Sequence, residues 1–89
     1  MSQAPYTERP LNGGMQKLYR FANGFGASVV QHRFSYGGDQ GEWELAVIKF
    51  DGDDWSLNYE TEVTDDVIGR LDWSEVESYL DQIAALQTA

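Results

Sequence analysis

The dipeptide Asn23-Gly24, inside the stretch FANGFGASVV at residues 21–30, constrains this chain more than any other pair of residues in it. A type I′ turn demands two successive positive φ values, which Asn-Gly supplies, and strand-like runs flank the pair on both sides, so the spacing predicts a tight β-hairpin. The same stretch has a rival reading, because Gly24-Phe25-Gly26 resembles the opening of a phosphate-cradling loop. That reading needs a third glycine at position 29, where Val29 stands, and a helix after it, which the β-branched pair Val29-Val30 does not favour. No Lys-Ser or Lys-Thr follows for a Walker loop either. The hairpin is therefore preferred, and no cofactor is expected.

The remaining punctuation extends the hairpin into a sheet. Residues 1–14 hold Pro5, Pro10, Gly13 and Gly14 among polar residues with no buried-face period, which reads as a flexible leader. Residues 15–89 then read as a single domain. A first strand over Met15–Phe21 is followed by a second over about Ala27–Tyr36, ending in the glycine-dense Gly37–Gly41. EWELAVIKF, residues 42–50, is apolar on both faces toward its end and suits a central strand. Residues 55–63 alternate with period two, placing Trp55, Leu57, Tyr59 and Val63 on the core side and Ser56, Asn58, Glu60 and Glu62 on the outer side.

The C-terminal part changes period. Thr64 with Asp65 and Asp66 suits the start of a short helix that Gly69 would end. A second helix opens near Asp72–Ser74, where Asp72-x-x-Glu75 and Ser74-x-x-Glu77 both have the form of a capping box. Val76, Tyr79, Leu80, Ile83 and Leu86 give it one apolar stripe. The expected architecture is α+β: a four-stranded antiparallel β-meander with one face covered by one or two C-terminal helices. The other face is expected to be partly exposed, making Leu18, Val30, Phe34 and Ile48 candidates for a binding surface or a homodimer interface.

Charge narrows the function classes. The net charge is -9, and it is unevenly spread: residues 1–50 carry five Lys or Arg against four Asp or Glu, whereas residues 51–89 carry Arg70 alone against eleven acids. Such a field opposes direct nucleic-acid binding, even though Arg9, Lys17, Arg20, Arg33 and Lys49 interleave with aromatics as in single-strand binders. It equally serves to keep a small domain soluble. With no cysteine, there is neither a thiolate metal site nor a Cys nucleophile. No apolar run approaches the roughly 18 residues of a membrane span.

Motifs for catalysis are weak. Asp51-Gly52-Asp53-Asp54 has acids at the first and third positions of a calcium loop and Glu62 at the twelfth. Trp55 at the fifth position and Ser56 at the sixth, where glycine is required, break the pattern and leave a structural turn as the better reading. His32 is the single histidine and has no second ligand at a recognisable spacing. Neither a metal site nor an enzyme is expected.

LYRFANGFGASVV, SYGG followed by GEWELAVIKFDGD, the Tyr59–Thr64 stretch, TDDVIGRL and the acidic terminal helix together resemble a family of small uncharacterised proteins of tailed bacteriophages, especially those of actinobacteria. The resemblance spans about residues 17–86. It implies a phage origin and a setting in the host cytoplasm, without a site that carries over. Trp73 and the leader depart from the family pattern. The expected function is a non-enzymatic accessory protein that binds a host or phage macromolecule, most simply a protein. The alternative is an acidic DNA mimic that inhibits a nucleic-acid-binding host protein. In either case Asn58, Glu60, Glu62, Asp65 and Asp66 are the candidate partner-binding residues.

Overall fold

The computed structural model describes residues 5–11, 13–31, 41–58, 60, 61, 63 and 67–86. Its α+β architecture is an antiparallel, curled sheet with one C-terminal helix. Strands β1 (Thr7–Leu11), β2 (Gly14–Arg20), β3 (Phe25–Gln31), β4 (Trp43–Asp51) and β5 (Asp54–Leu57) lie side by side in chain order. A sixth strand, β6 (Ile68–Leu71), also pairs with β4. It runs beside Trp43 and Leu45, while β5 runs beside Ile48–Asp51, so the two short strands divide one edge of β4 between them.

Several expectations are corrected. The sheet has more than four strands, because part of the supposed leader is β1, pairing Thr7 with Leu18 and Pro10 with Met15. Proline is tolerated there because β1 is an edge strand, where a missing N–H breaks no ladder bond on the outer side. The long strand expected over residues 55–63 stops at Leu57, where Asn58 turns the chain by accepting the Glu60 N–H on its own Oδ1 at 3.0 Å. The short helix expected before Gly69 is replaced by β6, whose Ile68 and Leu71 face Leu45 and Trp43 across the ladder. Its proposed start, Thr64–Asp66, lies outside the described residues, as do His32, Arg33 and Phe34.

The β2–β3 connection is a hairpin, but not the two-residue form. Gly24 donates its N–H to the Phe21 carbonyl at 3.1 Å, and Phe21 donates to Phe25 at 2.9 Å. Gly24 has φ 89°, while Asn23 keeps a negative φ. The loop is thus three residues long, a turn followed by a left-handed glycine, which releases the Asn23 side chain for another task. Gly26, two residues on, is needed for a different reason. A Cβ there would drive into the Tyr19 carbonyl oxygen of β2 and come within 2.9 Å of the Phe50 ring.

Helix α1 (Trp73–Ala84) lies across β3, β4 and β6. Asp72 is its N-cap, and the capping box uses Glu75, which resolves the two starts that the spacing allowed. The stripe holds: Val76, Leu80 and Ile83 are fully buried against Tyr19, Ala27, Val29, Leu45, Val47 and Leu71, with Tyr79 and Leu86 packed beside them. At the other end of the helix, Asn23 Nδ2 donates to the carbonyls of Ile83 at 2.9 Å, Ala84 at 3.3 Å and Leu86 at 3.0 Å. Its Oδ1 accepts the Phe25 N–H at 3.0 Å. The hairpin residue therefore satisfies carbonyls that a helix C-terminus leaves without intrahelical partners.

Candidate functional site

Of the five candidate partner-binding residues, the structure describes two. Asn58 is a turn-former: its N–H bonds to the Val47 carbonyl at 2.9 Å and its side-chain oxygen is spent on Glu60. Glu60 is exposed. Glu62, Asp65 and Asp66 lie outside the described residues. The alternation that placed Asn58 and Glu60 on one outer face does not hold for them, because β5 ends at Leu57.

Acidic side chains at the β4–β5 hairpin have a clear setting. Asp51 pairs with Asp54 across a two-residue turn, with Gly52 at φ 64° in its first position, as turns of the II′ kind require. Asp51, Asp53 and Asp54 are all exposed. The segment read as a broken calcium loop is thus the tip of a hairpin. Among the described residues, no group of three or more His, Asp or Glu is placed to hold a metal ion.

Basic side chains behave differently. Lys17 Nζ lies 4.7 Å from the Trp73 ring centroid and 5.5 Å from that of Trp43, and 3.4 Å from Glu8 Oε1. The two indoles meet edge to face at 5.1 Å. Arg20 spreads its guanidinium over Phe50, 4.5 Å from the centroid, and donates to the Gly52 carbonyl at 2.7 Å, with Asp53 at 3.7 Å and Tyr6 beyond. Arg9 donates to Gln16 at 2.6 Å, and Arg70 reaches Glu42 at 3.9 Å. Each cation-on-ring contact contributes about 0.5–1 kcal/mol at a half-exposed site, and each keeps positive charge folded against the protein. Lys49 is exposed.

The sheet face away from the helix is not the open apolar surface expected. Leu18 and Ile48 are buried with Phe50, under a half-buried Trp55, and Val30 is buried as well. Polar residues share this face. Gln16 and Ser28 are both buried, and Gln16 Nε2 donates to Ser28 Oγ at 2.8 Å while its Oε1 accepts from Arg9. Beside them Ser28, Val30, Glu44, Ala46, Leu57 and Val67 line an open groove of about 220 Å³. Sequence reasoning passed over Gln16, Ser28 and Glu44. Their common face was readable only from the register that pairs Gln16 with Val30, and Val30 with Glu44.

Among the described residues, two titrating groups have shifted acidities. The Glu75 N–H, and then the Ser74 hydroxyl, hold the Asp72 carboxyl below its ordinary range. Burial, followed by the Glu8 and Glu77 carboxylates, pushes the Tyr19 phenol up. Neither group lines the groove, so both shifts belong to the frame.

In comparisons with protein-family models, with curated proteins and with solved structures, nothing matches this chain. Among the described residues, no helix is long and apolar enough to cross a membrane.

Proposed function

We propose that the chain is a small non-enzymatic binding protein, of the phage accessory type that its sequence resembles, engaging a host or phage macromolecule in the host cytoplasm. The observation that carries this reading is the unequal disposition of its charges. Lys17, Arg20, Arg9 and Arg70 each meet a ring, carbonyl or acid of the same chain, with Lys49 left exposed, whereas Asp51, Asp54 and Glu60 stand in solvent. A chain of net charge -9 arranged in this way presents a negative field to whatever approaches, which raises encounter rates with basic surfaces and repels nucleic acid. The partner is therefore a protein with a basic face. DNA mimicry is the special case in which that face is a nucleic-acid groove.

The test is capture of host proteins on the immobilised chain, at low salt and at about 0.5 M salt, where the Debye length has shrunk to roughly 4–5 Å. The expected catch is basic, released by salt, and reduced when Asp51 and Asp54 are both changed to lysine. Release by added duplex DNA selects mimicry. A catch indifferent to salt and to the double charge reversal overturns the electrostatic reading.

A further inference from the structure

We infer that the groove on the helix-free face of the sheet is a recognition pocket for one basic side chain, an arginine, of the partner protein. This deepens the proposed function and rests on it. Three features of the groove support the assignment.

The first is size. A volume of about 220 Å³ is below the roughly 300–1,000 Å³ of sites that enclose small molecules, yet ample for a single side chain laid in an open channel.

The second is the lining. Val30, Ala46, Leu57 and Val67 supply apolar walls for an aliphatic stem, and Leu57 remains 50% exposed, so the apolar wall on its side is open to an incoming group. Long basic side chains bury their methylenes along such walls while the charged head stays at the rim.

The third is the polar content. Among the described residues, Glu44 is the one charged group in the lining, and it has no ion-pair partner there. Ser28 uses one hydroxyl lone pair on Gln16, which leaves a second to accept from an incoming donor. A carboxylate with a nearby hydroxyl acceptor suits the forked donors of a guanidinium, and it rejects an anion. The acidic field described above steers the same kind of ligand toward the surface.

The probe is acetyl-Gly-Arg-Gly-amide, titrated into the full ¹⁵N-labelled chain beside its citrulline counterpart, which keeps the shape and loses the charge. The arginine peptide is expected to shift the amides of Ser28, Val30, Glu44, Ala46 and Leu57, and the citrulline peptide to bind at least tenfold more weakly. Glu44→Gln, with spectral dispersion unchanged, should bring the arginine peptide down to the citrulline level. Shifts confined to the Asp51–Asp54 hairpin, equal binding of both peptides, or full binding by Glu44→Gln overturns the pocket. A silent groove alongside salt-released capture of basic proteins removes the pocket and leaves the proposed function standing. Loss of that capture, with the groove still responding to arginine, does the reverse.

Discussion

The two faces of the sheet are built on opposite principles. Under the helix, Tyr19, Ala27, Val29, Leu45 and Val47 meet Val76, Leu80 and Ile83 in an apolar layer from which water is excluded. On the far face the apolar cluster is small, Leu18 with Ile48 and Phe50, and it continues into a hydrogen-bonded pair, Gln16 and Ser28, and then into an open groove. Alternation along β2, β3 and β4 feeds both faces from the same strands, so the difference comes from which residues occupy every second position. The helix face holds the fold together. The far face accepts polar groups at modest cost, and that is where recognition chemistry can be placed without weakening the core.

The sharpest challenge to this contrast is Leu80→Ala, which removes a fully buried side chain from the helix layer and should cost about 2–5 kcal/mol in denaturant unfolding. A loss under 1 kcal/mol would show that the layer is not the main support. Gly26→Ala tests the seam between the faces. Its methyl group has only the Tyr19 backbone and the Phe50 ring to push against, so a loss of roughly 3 kcal/mol, the upper part of the overpacking range, is expected. Asn23→Ala should cost about 2 kcal/mol by stripping donors from the helix end. Asn23→Asp suits the turn equally but offers the carbonyls no N–H, and must also destabilise if capping is what matters.

Smaller effects follow at the helix start and on the far face. The Asp72 carboxyl is held below its unfolded acidity, so its contribution is present above the ordinary aspartate range and is lost as pH falls through the depressed value. The melting temperatures of Asp72→Ala and the parent chain should therefore differ near neutrality and converge in acid. Smallest of all, the double change Gln16→Met with Ser28→Ala removes both ends of a buried hydrogen bond at once and turns the exposed Arg9 guanidinium from Gln16 to water, so it should cost no more than about 1 kcal/mol. A cost comparable to that of Leu80→Ala would erase the distinction between the faces.

How far these features could be read from residues alone depends on the range of the interaction that decides them. The helix and its stripe were legible because Asp72, Glu75, Val76, Leu80 and Ile83 lie within a few turns of one another. Asn23-Gly24 announced a reversal, and the reversal is there. The loop length was not legible, since the Asn23 side chain is claimed by carbonyls some sixty positions away. β1 was hidden by Pro10, and β6 by Gly69 and by Arg70, which adopts φ 58° beside a register shift against β4. Left-handed backbone at a non-glycine residue in a bulge is decided by the neighbouring strand, which no local propensity encodes. The candidates Glu60 and Glu62 rest on a period-two pattern extended past Asn58, whose side chain turns the chain at Glu60.

The contact between Asn23 and the last turn of α1 joins an early reversal of the chain to one of its latest segments. Docking that turn closes one of the widest loops in the molecule, an event that belongs late in folding. Once closed, the two ends breathe together. Amide protons of the β2–β3 loop and of residues 83–86 should exchange with deuterium through one shared opening, so that loosening either end frees both.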